Sequence, residues 1–239
     1  DPYANKTIYL FFGGFLIATA IQKWDLHKRI ALFVLENAGS NGASLVFGFM
    51  LTAALISMWV MNTATTIMLL PIGLAVVSVV KTTVNYLSDQ DLESFQLALL
   101  LGIAYGATIG GMSTLIGTGP NGMLAAFMFD NYDLDISFVD WMKVGVPLSA
   151  VMLPCSWFIL TKIIFKVNFE TSSETKELLS SMKEELGDLK GPELKVLIVF
   201  FITAMAWMFR TVLDNYSILS GLSDAGIAMI SALFLFLLP

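Results

Sequence analysis

Met61-Asn62-Thr63-Ala64-Thr65-Thr66 is a short polar island inside an uncharged run of 44 residues, Asn37 to Val80. As a single helix the run would be roughly 66 Å long, whereas the hydrocarbon core of a bilayer is about 30 Å thick. The run therefore has to fold back on itself, with Asn62 and Thr63 at the tip. Two geometries satisfy this: two full spans joined by a tight outer turn, or a re-entrant hairpin that turns near mid-membrane. Both return the chain to the same side, so charge counting does not separate them. The island has no Gly, Pro or charge, unlike a solvent turn, and Ser57 lies five residues before Asn62; this chemistry favours the hairpin. Polar, non-helical backbone at membrane depth persists only where it is buried in protein or lines a water-filled cavity. The tip is thus the first candidate for a binding site.

Composition agrees with a membrane setting. Of the 239 residues, 56% are hydrophobic and 13% are charged, where a soluble domain would carry about 25% charged residues. The charges fall in blocks between long apolar runs. This pattern predicts an all-α, polytopic integral membrane protein in a plasma or bacterial inner membrane, with the lipid bilayer as its solvent. No basic patch interleaved with aromatics suggests a nucleic-acid partner. Cys155 is the single cysteine, so no internal disulfide forms, and its apolar surroundings make it read as a small buried hydrophobe. The chain starts at Asp1 and stops at Pro239 in an apolar run. Both ends read as cut, and the expectation is a piece of a longer protein.

Outward from the opening run, Thr7–Gln22 is an apolar stretch that would span if slightly extended. Asp25–Asn37 has Leu26, Ile30, Phe33 and Val34 at helical spacing and His27, Lys28 and Arg29 on the other face, which predicts an amphipathic helix at the interface. His27, the only histidine, reads there as a solvated residue. Lys81–Glu93 is a polar loop, Asp130–Lys143 is acidic, and Lys162–Lys195 is long and of mixed charge. Val144–Thr161, Val196–Leu213 and Ala225–Pro239 read as further spans. Of the 13 basic residues, 10 fall in the loops at 23–38, 81–93 and 162–195, leaving Lys6, Lys143 and Arg210 for the opposite face. By the positive-inside rule the first set is cytoplasmic.

A second uncharged run, Ser94–Phe129, is 36 residues long and contains seven glycines together with Pro120. Gly102, Gly106 and Gly110 make a small-residue stripe that reads as close helix packing. That reading does not cover Gly117-Thr118-Gly119-Pro120-Asn121. Glycine costs about 1 kcal/mol and proline about 3 kcal/mol in a helix interior, so a helix broken in mid-span is predicted. Such breaks coordinate cations through freed carbonyls and anions at the N-terminal end of the following half-helix. Asn and Thr supply neutral donors and acceptors in both segments. An anion held there without a charged side chain fits co-transport with a cation.

These residues resemble the divalent-anion/sodium symporter family, whose members move dicarboxylates, citrate or sulfate. The matching segments are Phe11–Ala18 (FFGGFLIA), Ser57–Thr66 (SMWVMNTATT) with Met68-Leu69-Leu70-Pro71, Gly102–Asn121 (GIAYGATIGGMSTLIGTGPN) and Phe138–Pro147 (FVDWMKVGVP). The resemblance covers nearly the whole chain. It implies a fold of two inverted repeats, each with a re-entrant hairpin and a broken helix, an elevator mechanism, and a homodimer built on scaffold helices. Under it, 1–38 holds a scaffold helix and the amphipathic helix, 39–80 the re-entrant hairpin, 94–129 the broken helix, 141–165 a span, 166–191 a cytoplasmic linker, and 192–239 the first helices of the second repeat. Carried over by position, Asn62, Thr63, Thr118 and Gly119 contact substrate. Ser57, Met61, Asn62, Gly110, Gly111 and Gly117 make a sodium site, with sodium as coupling ion and no other cofactor. The chain departs from the pattern at Met61, where a serine is usual; the backbone carbonyl remains available there. No second Asn-Thr tip occurs in 192–239.

The reading that follows is a sodium-coupled symporter of a di- or tricarboxylate. A sodium/sulfate symporter, or a sodium-independent exchanger or channel on the same fold, stays open beside it. An intramembrane enzyme lacks its means, because neither uncharged run contains Glu, Asp or His. The basic-residue bias argues against a half-chain working alone as an antiparallel dimer.

Overall fold

The computed structural model describes residues 6–39, 41–189, 191–214 and 221–237. Within them the chain is helical: α1 (Lys6–Lys23), α2 (Leu26–Glu36), α3 (Gly42–Ser57), α4 (Asn62–Thr83), α5 (Asp89–Gly111), α6 (Gly119–Tyr132), α7 (Phe138–Phe158), α8 (Ser173–Leu186), α9 (Gly191–Met208), α10 (Arg210–Leu213) and α11 (Asp224–Leu237). Helix α7 runs on as a π-helical segment, Ile159–Ile164. Among the described residues the only β-type pairing is an isolated antiparallel bridge, Asn41 to Glu170. Among the described residues, four helical stretches are long and apolar enough to cross a membrane: α4, α5, α7 with its π-helical extension, and α9.

Local chemistry sets the helix ends. The Asn41 side chain accepts the Ser44 N–H at 2.7 Å and caps α3. Ser88 and Asp91 form a reciprocal pair, in which the Asp91 N–H donates to Ser88 Oγ at 3.2 Å and the Ser88 N–H donates to Asp91 Oδ2 at 3.3 Å. This starts α5 at Asp89, so the polar stretch after Lys81 is largely helical. Asp133 ends α6 in the left-handed region at φ 54°, a conformation that aspartate tolerates.

By internal packing the chain divides into two compact units. The first comprises residues 1–26, 112–146 and 188–239. In it α1 packs on α11, with Gly13 lying against the Ala228 backbone so closely that a Cβ would overlap it. Asp224, buried at the start of α11, accepts the Phe138 N–H at 2.9 Å and pairs with Arg210 at 3.0 Å through the same oxygen. Its backbone carbonyl accepts the Trp207 indole N–H at 3.0 Å, and the Trp207 ring stacks on Phe138 with centroids 4.5 Å apart. Asp224 thus ties the start of α7 and α10 through its carboxylate and the end of α9 through its backbone carbonyl.

The second unit comprises residues 27–111 and 147–187. Its core is the seam between α3 and α5, where Val46, Phe49, Met50 and Ala53 meet Ala98, Leu99 and Ile103 with almost no exposure. Gly102, Gly106 and Gly110 recur every four residues along that seam. Their backbone meets Met50 and Ala54 directly, at distances that leave no room for a Cβ at Gly106 or Gly110. The small-residue stripe is therefore a packing device, as its spacing predicts. Helix α4 lies along α5 on another side, with Gly73 facing Ile103. At the start of α3, the Gly42 N–H donates to the Phe169 carbonyl at 2.9 Å, and the Phe169 ring meets Phe95 edge-on at 5.0 Å. The Lys183 ammonium reaches Glu36 of α2 at 2.5 Å.

Two side chains lie elsewhere than their surroundings suggest. His27 is 4% exposed, not solvated. It shares a face with Ala31 and Leu35, four and eight residues on, and that face is the packed one. Cys155 is exposed, on a stretch of α7 that also shows Val151 and Phe158. In a membrane chain an apolar context does not signal burial, because lipid tails are as apolar as leucine.

Candidate substrate and cation site

The 44-residue run folds as α3, a four-residue turn Met58–Met61, and α4. Its arms are unequal: α3 has 16 residues and α4 has 22, about 24 Å against about 33 Å. Asn62 and Thr63 are not in the turn itself but in the first turn of α4. The polar island is therefore a helix N-terminus, which accounts for its lack of turn residues. The end of α3 is held by Met58, whose N–H donates to the Ala54 carbonyl at 3.1 Å, and the first bond of α4 runs from the Thr65 N–H to the Met61 carbonyl at 2.9 Å.

Across this turn Ser57 and Asn62 meet. The fully buried Ser57 hydroxyl donates to Asn62 Oδ1 at 2.7 Å and lies 3.3 Å from the Val60 carbonyl. On its other side the Asn62 amide rests on Gly111, the last residue of α5; a Cβ at Gly111 would overlap Oδ1 of Asn62 and crowd its Cγ and Nδ2. Gly110 is pressed in the same way on the Ala54 backbone. Of the residues predicted from sequence, Ser57, Met61, Asn62, Gly110 and Gly111 thus gather around one helix junction in the second unit. Thr63 is exposed one residue on. Neutral oxygens at such a junction suit a hard cation, and the uncapped start of α4 presents N–H groups suited to an anion.

Met61 is the N-cap of α4. It is 52% exposed and offers no side-chain bond to the helix. Serine at this position would place a hydroxyl where it accepts an N–H of the first turn, at little packing cost. Met61→Ser is expected to stabilise the protein by about 1 kcal/mol, read as a rise in melting temperature in detergent. An unchanged or lower melting temperature would show that the turn does not present the cap geometry described.

Gly117, Thr118 and Gly119 belong to the first unit. There the chain between α5 and α6 is non-helical from Met112 to Thr118. The break is an ordered loop built around Thr114, which is fully buried. Thr114 Oγ1 accepts the Gly117 N–H at 3.1 Å, and its carbonyl accepts the Asn121 side-chain amide at 2.7 Å. From α7, the Trp141 indole N–H donates to the Met112 carbonyl at 3.0 Å. Gly145 lies against the Met112 and Ser113 carbonyls, where a Cβ would overlap them. Gly117 is buried, Thr118 is the half-buried N-cap of α6 without a side-chain bond, and Gly119 is exposed with no atom within 4 Å of a Cβ position.

Several residues that shape these two regions were not singled out by sequence. Thr65 is fully buried and its Oγ1 has no hydrogen-bond partner. It lies three residues after Asn62 on the same helical face, so its spacing carried a signal. Trp141 and Ser149 carried none, because the carbonyls they take belong to residues 29 and 40 positions earlier.

Helical stretches long and apolar enough to cross a membrane, with neutral oxygen donors gathered at the turn between α3 and α4, define a multi-pass membrane protein. Over residues 1–239 the chain matches the family described as the sodium:sulfate symporter transmembrane region, and it belongs to that family. It is 37% identical over 243 residues to the sodium-dependent dicarboxylate transporter SdcS of Staphylococcus saprophyticus, a match that covers 99% of this chain and 46% of that protein. It is 33% identical over 241 residues to the SdcS of Staphylococcus aureus strain USA300, covering 100% and 46% respectively. The chain therefore spans about half the length of the curated relatives it matches.

Proposed function

We propose that the full-length protein carrying this chain is a secondary active transporter that couples sodium to the movement of a di- or tricarboxylate. The observation that carries this reading is the junction of Ser57, Asn62 and Gly111: neutral oxygens and glycine backbone beside an uncapped helix start. The relatives named sodium-dependent dicarboxylate transporters support the same cargo. In this reading Ser57, Asn62 and the backbone at Met61, Gly110 and Gly111 hold sodium, while Asn62 and Thr63 meet a substrate carboxylate. The hairpin enters from the cytoplasmic face and turns within the membrane, consistent with the short first arm. The chain is the first of two inverted repeats with the start of the second, the protein is a homodimer, and transport follows an elevator motion. The family description names sulfate, which makes a sodium/sulfate symporter the second reading.

The test is uptake of radiolabelled succinate into proteoliposomes containing the full-length protein. Replacing external sodium by choline is expected to lower the initial rate at least about tenfold, equivalent to about 1.4 kcal/mol. Excess malate is expected to compete, and sulfate not. Uptake indifferent to sodium sinks the coupling, and competition by sulfate alone moves the assignment to the second reading.

A further inference from the structure

Ser149 lies in α7 and is buried, at 8% exposure. A helical serine commonly satisfies its hydroxyl on a carbonyl one turn back in its own helix. Ser149 instead donates to the Ile109 carbonyl at 2.7 Å, 40 residues earlier in the chain. Ile109 is in the last turn of α5, where carbonyls have no intrahelical partner. The next two residues are Gly110, pressed on the Ala54 backbone, and Gly111, on which the Asn62 amide rests. Glycine backbone has wide conformational freedom, so two in succession at a helix end rely on outside contacts to hold their orientation. The bond from Ser149 adds a directional fixed point one residue before the pair.

We propose that Ser149 is a positioning residue for cation binding at the hairpin turn. By holding the Ile109 carbonyl it fixes the orientation of the last turn of α5, and hence the place of the Gly110–Gly111 backbone beneath Asn62. Ser149 touches neither Asn62 nor Ser57 in this role; it acts through α5. The inference rests on the sodium site proposed above. A bond serving only to join helices has no need to sit beside the glycine pair, and its loss weakens the fold without altering how sodium is bound.

The two roles separate in a sodium titration of thermal stability. The full-length protein is heated in detergent while sodium chloride replaces choline chloride at constant ionic strength. The wild type is expected to gain melting temperature with a measurable half-saturating sodium concentration. Ser149→Ala is expected to raise that concentration about three- to tenfold, the size of effect that hydrogen bonds between membrane helices have. Ser149→Thr, which keeps the hydroxyl, is expected to retain the wild-type value. A half-saturating concentration unchanged in Ser149→Ala, with or without a lower melting temperature in choline, overturns the positioning role and leaves the sodium site standing. A wild type that sodium does not stabilise overturns the sodium site and this role together. If the alanine variant does not accumulate, Ser149→Cys, with its weaker donor, is titrated in its place and read by the same criteria.

Discussion

Gly110→Ala is expected to disrupt the second unit. A Cβ there would land on the backbone oxygen, Cα and carbonyl carbon of Ala54, all closer than real Cβ contacts allow. Backbone does not swing aside as a side chain does, so α3 and α5 would have to part along the seam that holds Phe49, Met50 and Leu99. Overpacking of a tight core costs about 1–3 kcal/mol, and backbone displacement lies at the upper end. The measurement is melting temperature and monodisperse yield in detergent. Gly191→Ala is the control, since no atom lies within 4 Å of its Cβ position. Equal behaviour of the two variants would show that the α3–α5 seam is looser than described.

Asn62→Ala is expected to remove transport almost entirely, by about a hundredfold or more, equivalent to roughly 2.7 kcal/mol. In the proposed site the same amide serves both sodium and substrate, so one truncation affects both. The fold is affected less. Ser57 loses its 2.7 Å acceptor and keeps only the Val60 carbonyl at 3.3 Å, a cost of about 1 kcal/mol. Sodium-driven uptake per mole of folded protein, measured beside the melting temperature, separates the two effects. Uptake at the wild-type rate in Asn62→Ala excludes Asn62 from the site.

The fold-back at residues 58–61 was legible because length alone required it. The run is too long for one crossing, and its polar residues cluster at one point. The interruption near Gly117–Pro120 was legible because those residue types break helices intrinsically. The stripe at Gly102, Gly106 and Gly110 followed from periodicity. Local terms of this kind do not depend on what packs against the segment. Two placements failed for the complementary reason. Polarity does not mean exposure at His27, and apolar context does not mean burial at Cys155. Each side chain's environment is set by the face on which it falls.

The sequence by itself determined a helical, multi-pass membrane chain, a fold-back near Asn62 and a break before α6, because hydropathy, length and helix propensity are properties of neighbouring residues. Only the tertiary structure decided that Asn62 begins a helix instead of capping a loop, that its amide takes the Ser57 hydroxyl and rests on Gly111, and that Ser149 and Trp141 hold carbonyls of Ile109 and Met112. Those contacts join residues 5 to 49 positions apart. A backbone carbonyl is the same group at every position, so no residue type announces which donor will take it; that choice is made by the packing that brings the two together.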